Sequence, residues 1–252
     1  MKVLYAGDSP VGGPANYLLA VLKRLRAEVR HLPPAQTLHP WLLRQRFDAI
    51  ILSDFSRTRV PYASEVAIVR HVEQGTGLLM VGGWGSFSGP FGGWRGSRIE
   101  SLLPVRCLRR DDRKHFPGGA LITSRAPHSM FRSLSFREPP AICGLNVVRP
   151  KAGSRTLLAA TPILSRQNPS TGGLSAALSP RTYPLLVINA DMRKRVAALT
   201  TDLAPHWCGG LVDWGHRRVM LPVTRTMHVE VGDRYLQFVS SLVRWLVRTA
   251  AR

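Results

Sequence analysis

The 252-residue sequence lacks both a long apolar run and an export signal. Runs such as residues 49–52 and 185–188 fall far short of the roughly 20 apolar residues that are needed to cross a bilayer. Met1 and Lys2 lead directly into strand-like residues, without the apolar segment and small-residue cleavage site of a signal peptide. We therefore expect a cytoplasmic protein with no membrane partner.

Cysteine is scarce, and the three residues present, Cys107, Cys143 and Cys208, are widely spaced. An odd number of cysteines without any CxxC pair argues against both a disulfide framework and a structural zinc site. Reduced thiols are expected. The sequence predicts no metal site and no cofactor.

Acidic residues are also few: 15 Asp and Glu stand against 35 Lys and Arg, for a formal net charge of +20. Such an excess is typical of proteins that bind nucleic acid or another acidic partner. However, the basic residues are spread along the whole chain, and no nucleic-acid motif accompanies them. A diffusely basic surface is the preferred interpretation, and a nucleic-acid-associated or scaffold protein stays an alternative.

What the sequence does contain is an alternation of apolar strands and amphipathic helices, with 44% hydrophobic residues to fill one large core. Continuous apolar strands that alternate with helices are typical of a parallel sheet covered on both faces. We predict a doubly wound, mostly parallel α/β sheet in a single domain, 1–252. The predicted strands are 2–7, 29–32, 47–54 and 77–83, and the predicted helices are 14–28 and 62–75.

The pattern loosens between about residues 102 and 180 into short apolar pieces separated by Pro, Gly and Ser. We predict a β-rich extension here, with an exposed loop near 166–175. Regular alternation returns in the strand-like segments 183–191, 194–202 and 217–223. The chain then closes with an amphipathic helix over 234–249.

Polar or glycine-rich residues follow three of the predicted strands: Asp8, Asp54 and the turn Gly82–Ser88. Ligands of parallel sheets bind beyond the carboxyl ends of the strands, so these residues should meet at one rim. The turn reads GGWGSFS and has the form of a nucleophile elbow, which requires Ser or Cys at its centre. Gly83 or Trp84 occupies that centre instead, and Ser86 comes later.

A second constellation, TTDLAPHWCGG, spans residues 200–210. Here a strand is expected to end at Asp202, and Pro205 to shape a turn that presents His206 beside Trp207. His206 could act as an acid or base oriented by Asp202 or Asp213, or it could simply pack against Trp207 and Trp214. The two interpretations have equal weight.

The segment DDRKHFPGG, residues 111–119, groups Asp111, Asp112, Arg113 and His115. Such a group could bind a metal ion, but it lacks the spaced partners that a metal site needs. A salt-bridged turn is therefore the preferred interpretation.

These phrases taken together, DAIILSD, GLLMVGGWGSFSG, DDR and RVAALTTDLAPHW in that order, resemble the class I glutamine amidotransferase-like family over essentially the whole chain. The resemblance implies the flavodoxin-like α/β fold. Class I amidotransferases carry a Cys after the strand that corresponds to GLLMV and a His-x-Glu pair near the chain end. Here Gly83 and Trp84 stand at the turn, and Cys208 follows His206 at the position of the Glu.

Glutaminase or amidotransferase activity is therefore not expected, since the thiolate that would attack the amide is missing from the turn. ThuA-like proteins, which are linked to sugar metabolism, resemble this arrangement because they also lack the Cys. Three hypotheses follow: a binding protein for an unknown small polar ligand, a ThuA-like enzyme that acts on a sugar or polyol, and the basic scaffold protein already named. Homo-oligomerisation stays open.

The first hypothesis assigns ligand binding to Asp8, Asp54, Gly83, Trp84, Ser86 and Trp207. The second assigns acid-base catalysis to His206 and Asp202, with Trp84 and Trp207 stacking on a ring face. Both predict that the two turns face each other across one open polar cleft, with His206 close to the Gly83-Trp84 backbone or to Ser86. A purely structural turn would instead have Trp84 filling the cleft.

Overall fold

The computed structural model describes residues 1–9, 12–167, 170, 172–191 and 193–247. The strands in chain order are β1 (Lys2–Gly7), β2 (Glu28–Leu32), β3 (Ala49–Ser53), β4 (Gly77–Val81), β5 (Val105–Arg106), β6 (Arg113–Ser124), β7 (Ala141–Asn146), β8 (Arg149–Pro150), β9 (Ser154–Gln167), β10 (Leu174–Leu178), β11 (Tyr183–Asn189), β12 (Val196–Leu199), β13 (Arg218–Pro222) and β14 (His228–Gly232). The α-helices are α1 (Ala15–Arg24), α2 (Tyr62–Glu73), α3 (Arg98–Leu102), α4 (Pro205–Val212) and α5 (Asp233–Val247).

One sheet of ten strands organises the chain, in the order β2-β1-β3-β4-β12-β11-β9-β6-β7, with β10 also paired to β9. The five strands β2, β1, β3, β4 and β12 are parallel to one another. The remaining strands extend this sheet in antiparallel fashion. The predicted fold, a mostly parallel doubly wound sheet with a β-rich extension, is confirmed.

Helices cover both faces of the parallel half, and each face has its own core. Val3 and Tyr5 of β1 pack with residues of α1 and α5, whereas Leu4 and Ala6 pack with residues of α2 and α3. Successive side chains of a strand point to opposite faces, so a strand that is buried on both sides must be apolar at every position. This is why the inner parallel strands, such as β3 and β4, appear as uninterrupted apolar runs, whereas the edge strand β2 contains both polar and apolar residues.

Several element predictions need correction. Segment 183–191 forms β11, which is antiparallel and belongs to the extension, and segment 217–223 contributes β13 to a separate hairpin with β14. The strand expected to end at Asp202 ends at Leu199 as β12. Local apolarity indicates that a strand exists, but the direction and partner of its pairing depend on distant residues.

Other boundaries differ by a few residues. Helix α1 ends at Arg24 because Arg26 adopts a left-handed conformation, with φ of 55°, and β2 begins at Glu28. The loop expected at 166–175 overlaps the ends of β9 and β10, and its residues 168, 169 and 171 lie outside the described residues. Residues 248 and 249 of the predicted last helix lie outside them as well. Within the described part of the chain, every helix is too short or too polar to span a bilayer.

Candidate functional site

A cleft of about 830 Å³ opens at the carboxyl edge of the parallel strands. Both turns singled out in the sequence line it, although more than a hundred residues separate them along the chain. The predicted site residues that border the cleft are Asp8, Asp54, Gly83, Trp84, Asp202, His206 and Trp207. It is also lined by Ser56, Thr58, Arg59, Gly85, Phe91 and His115, among others. The expected juxtaposition of the two turns is therefore present.

A second cavity of about 800 Å³ lies between the end of β6 and residue 137. Its lining includes His128, Arg132 and Arg137 but no carboxylate. The cleft at the sheet edge combines carboxylates, imidazoles and aromatic rings, so it is the better candidate for a functional site.

Asp8 and Asp54 occupy equivalent positions after the neighbouring strands β1 and β3. Both adopt a left-handed backbone conformation, with φ of 47° and 49°, which Asp tolerates better than most residues. The Tyr5 hydroxyl donates to Oδ2 of Asp8 at 2.5 Å, and Oδ1 of Asp54 accepts a hydrogen bond from the backbone N–H of Gly85. These bonds hold both carboxylates at the floor of the cleft.

Burial dominates the electrostatics of these two carboxylates. It raises the pKa of Asp8 from 3.8 to about 7, against the hydrogen bonds from Ser53 and Tyr5, and the charges of Asp54 and Asp202 raise it further. Burial also raises the pKa of Asp54, although the Gly85 N–H opposes that shift. Titratable groups with raised pKa values in a cleft mark a functional-site candidate.

The turn after β4 requires glycine because atoms of Asp54 and Thr200 lie too close to it for a side chain. Gly83 has a positive φ of 152°, and a Cβ there would lie 2.6 Å from Oδ1 of Asp54. A Cβ on Gly82 would lie 2.1 Å from the carbonyl oxygen of Thr200. The glycines therefore allow the turn to approach both β3 and the chain after β12.

Ser86 does not line the cleft, which corrects its assignment to ligand binding. Its side chain is buried, and its hydroxyl donates to the carbonyl oxygen of Val81 at 2.5 Å. The Ser86 hydroxyl oxygen in turn accepts a hydrogen bond from the backbone N–H of Asp54 at 3.1 Å. Ser86 thus links the turn to β4 and to the residue after β3, and its hydroxyl points into the protein. Its position in the sequence does not predict this orientation.

Asn146, at the end of β7, fixes the same turn from the extension, and sequence reasoning missed it. Its side-chain amide accepts from the N–H of Gly83 at 2.9 Å and donates to the Gly83 carbonyl at 3.2 Å. It also donates to Asp112 at 2.7 Å, and the other oxygen of Asp112 accepts from the N–H of Ser88 at 2.8 Å. Burial raises the pKa of Asp112 to about 6. This buried network holds the peptide of Gly83 in one orientation.

His206 lies in the first turn of α4, because Pro205 begins that helix and does not shape an isolated turn. Its Nδ1 lies 3.7 Å from Oδ2 of Asp202, and its side chain is 67% exposed. Contact with Asp202 raises the pKa of His206. Asp213 instead pairs with Arg218, so Asp202 is the carboxylate that lies beside His206.

The chain around His206 is held by the outer edge of β7. Thr201 donates to the carbonyl oxygen of Gly144 at 2.9 Å, and a Cβ on Gly144 would lie 2.8 Å from the Trp207 ring. Trp207 also contacts His115 edge to face at 5.7 Å and is only 5% exposed. It therefore borders the cleft without offering a free ring face.

Two exposed aromatic rings form the outer wall of the cleft. Trp84 is 47% and Phe91 63% exposed, and the rings stack at 6.3 Å. The guanidinium of Arg113 lies over the Trp84 ring at 4.1 Å and pairs with Asp111 at 2.6 Å. Trp84 thus lies at the wall and leaves the cleft open. His115, from the same segment, borders the cleft, which sequence reasoning had not predicted.

Neither a metal site nor a thiol site is evident in the cleft. Among the residues that the structure describes, no three His, Cys, Asp or Glu side chains lie together closely enough to hold a metal ion. Cys107, Cys143 and Cys208 are all described, and none of them borders the cleft. Cys208 is buried in α4, where burial raises its pKa well above its ordinary value.

The sheet order, the tight turn after β4 and the cleft at its carboxyl edge define a class I glutamine amidotransferase-like, flavodoxin-like α/β protein. The chain belongs to the family described as "Putative glutamine amidotransferase", whose sequence model matches residues 11–225. The resemblance inferred from the sequence is thereby confirmed, whereas the likeness to ThuA-like proteins stays a prediction.

Two solved structures of cytoplasmic proteins share the fold. One, from Salmonella typhimurium, is 20% identical, with a TM-score of 0.68 over 97% of this chain and 98% of that one. The other, from Salmonella typhimurium LT2, is 24% identical, with a TM-score of 0.62 over 82% of this chain and 90% of that one. No protein with a curated description matches the sequence.

Proposed function

We propose that the protein binds a small polar ligand in the cleft at the carboxyl edge of the sheet and does not hydrolyse glutamine. The observation that carries this proposal is the convergence of Asp8, Asp54 and Asp202 on one open cavity that no thiol borders. Carboxylates fix the orientation of a polar ligand, and the aromatic wall supplies apolar contact area. The Salmonella relatives are called cytoplasmic, which supports the same location for this protein.

The proposal is tested by identifying small molecules that co-purify with the protein. Protein purified without denaturation is compared by mass spectrometry with a His206→Ala, Trp84→Ala double variant, which alters both sides of the cleft but not its floor. A compound enriched with the wild type and lost from the variant supports the proposal. Identical profiles, together with the absence of any thermal stabilisation across a metabolite panel, would contradict it.

The second part of the proposal concerns glutamine. Thioester chemistry requires a thiolate at the reacting amide. Cys107 and Cys208 are buried, Cys143 is exposed, and none of the three lines the cleft. We expect no ammonia release from glutamine above the rate in buffer alone. Ammonia release that disappears when any one of the three cysteines is replaced by Ser would overturn this expectation.

A second candidate is an enzyme that uses His206 and Asp202 as acid and base on a sugar or polyol. The observation in its favour is the 3.7 Å approach of the two side chains at the cleft, together with the raised pKa of His206. The co-purified compound decides between the candidates: its conversion by wild type, with loss of conversion in His206→Gln but retained binding, would favour the enzyme.

A further inference from the structure

The cleft contains a cluster of acidic side chains, whereas the chain as a whole is strongly basic. The protein carries +20 overall, yet three of its 15 acidic residues line this one cavity, where Arg59 is the one arginine among the described lining residues. The charges that act on Asp8 are those of Asp54 and Asp202, and those that act on Asp54 are Asp202 and His206. The carboxylates therefore repel one another: the charges of Asp54 and Asp202 raise the pKa of Asp8, and the charge of Asp202 raises the pKa of Asp54.

Asp202 has only weak or long-range partners within the chain. It is nine-tenths buried and borders the cleft, yet its Oδ2 lies 3.7 Å from His206 Nδ1, too far for a hydrogen bond. Its Oδ1 accepts a long bond of 3.4 Å from the N–H of Ala204, and its remaining hydrogen-bonding neighbour is the thiol of Cys208, a weak donor. A buried carboxylate with such weak partners gains most from a donor that enters the cleft.

The outer wall already accepts a guanidinium from this chain. Arg113 lies 4.1 Å above the Trp84 ring, while Phe91 extends the aromatic surface beside it. Cations are attracted to the faces of aromatic rings, and aromatic walls combined with carboxylates are a general means of recognising organic ammonium groups. A bare metal ion would find no set of three ligands in the described residues, whereas an organic cation also uses the apolar wall.

The carboxylates are arranged in a row along the sheet edge. Asp8 and Asp54 follow the adjacent strands β1 and β3, whereas Asp202 follows β12, which is two strands beyond β3. At roughly 4.8 Å between neighbouring strands, the end of β12 is about 10 Å from that of β3 and about 14 Å from that of β1 along the edge. A ligand with one cationic group at each end of a short apolar chain matches this arrangement.

We propose that the ligand of this cleft is an organic cation, with an ammonium or guanidinium group held by Asp202 and a second one at Asp8 and Asp54. This inference rests on the proposed function and specifies its ligand class. The carboxylates bind the charged ends, and Trp84 and Phe91 cover the apolar chain between them.

The test uses three probes with the same carbon chain: 1,4-diaminobutane, butylamine and 1,4-butanediol. Their binding to the full-length protein is measured by isothermal titration calorimetry at pH 8 and low salt. We expect the diamine to bind, butylamine to bind at least about tenfold more weakly, and the diol not to bind. Because the protein is strongly basic, non-specific attraction of these cations to its surface is small.

A charge-neutral variant locates the binding site. Asp202→Asn keeps the size of the side chain, and we expect it to weaken diamine binding about tenfold, whereas Asp191→Asn, on the surface beside Arg193, should leave it unchanged. Asp54→Asn, whose amide oxygen can still accept from Gly85, serves if Asp202→Asn does not fold. At pH 6 the wild type should bind the diamine more weakly, because Asp8, with a pKa of about 7, is then largely protonated and His206, whose pKa is raised, carries more positive charge than at pH 8.

The outcomes separate this inference from the proposed function. Diol binding as tight as diamine binding, or diamine binding that is unchanged in both cleft variants, would refute the organic cation. If neither amine binds and a neutral or anionic compound co-purifies, the inference fails but the proposed function stands. If nothing binds and nothing co-purifies, both fail.

Discussion

Asp8→Asn should change the pH dependence of stability in a way that follows from the burial of this carboxylate. The substitution keeps the geometry, because Asn tolerates the left-handed φ of 47° and its side-chain oxygen can accept from the Tyr5 hydroxyl. The substitution removes only the ionisable carboxyl group. In the wild type the pKa of Asp8 rises from 3.8 to about 7 on folding, so the folded state binds this proton more tightly than the unfolded chain.

The sign and size of the effect follow from linkage. Between about pH 4 and 7 the folded state holds a proton that the unfolded state has lost, so this group makes the wild type less stable as the pH rises. At 1.36 kcal/mol per pKa unit, the full difference is about 4 kcal/mol above pH 7 and close to zero at pH 4. Asp8→Asn should therefore be more stable than the wild type at pH 8, and the two should be similar at pH 4.

Urea unfolding at pH 4.5, 6 and 8 measures this difference. Asp54 and Asp112 also titrate, so the quantity of interest is the free energy of unfolding of the variant minus that of the wild type. The control is Asp191→Asn, whose difference from the wild type should not change with pH, because Asp191 is exposed and the hydrogen bonds from Arg193 lower its pKa, so it stays ionised over this range. A difference for Asp8→Asn that does not change with pH, or a variant that is less stable at pH 8, would refute the burial argument. A stabilised variant that no longer binds ligand would show that the charge is kept for function.

Three further predictions concern the turn and the surface charge. Gly83→Ala should lower the free energy of unfolding by more than about 1 kcal/mol, because its Cβ would lie 2.6 Å from Asp54. The control is Gly93→Ala, which also places Ala at a positive φ, of 67°, but has open space and should cost less. Equal losses in urea unfolding would count against the steric argument. Asn146→Ala should lower the free energy of unfolding by about 3 kcal/mol, because it leaves the buried polar groups of Gly83 and Asp112 unpaired. Its control is Asn189→Ala, since the Asn189 side chain makes one long hydrogen bond of 3.4 Å. An equal cost for the two would contradict a special role for the network. Binding to duplex DNA should be weak, independent of sequence and largely lost between about 50 and 200 mM salt, and tight, salt-resistant binding in a fluorescence anisotropy assay would favour a nucleic-acid function.

The differences between the sequence-based expectations and the structure concentrate in the extension. Segment 183–191 is as apolar as a parallel strand, yet it forms the antiparallel β11 between β12 and β9. Both kinds of strand are buried on two faces in this sheet, so both have the same apolar pattern. The direction of a strand is set by the path of the connecting chain, which local periodicity does not record.

In the site, too, some residues could be placed from the sequence and others could not. Asp8 and Asp54 could be placed from the sequence because each directly follows an apolar strand, and the carboxyl ends of parallel strands share one edge. Ser86 also follows such a strand, but its hydroxyl turns inward to Val81. A short polar side chain in a tight turn can point toward solvent or toward the backbone, and only the surrounding packing selects one direction.

The sequence by itself determined the parallel half of the sheet, the glycine turn after β4, the absence of a thiol there and the edge at which the cleft lies. These features depend on residues close together in the chain, through apolar periodicity and the backbone freedom of glycine. Only the tertiary structure decided that Asn146 holds Gly83 from the extension, that His115 and Trp207 meet at the cleft, and that Asp202, not Asp213, lies beside His206. Most of these contacts join residues that are distant in the sequence, and all of them depend on side-chain directions that arise only when the extension and α4 pack against the sheet.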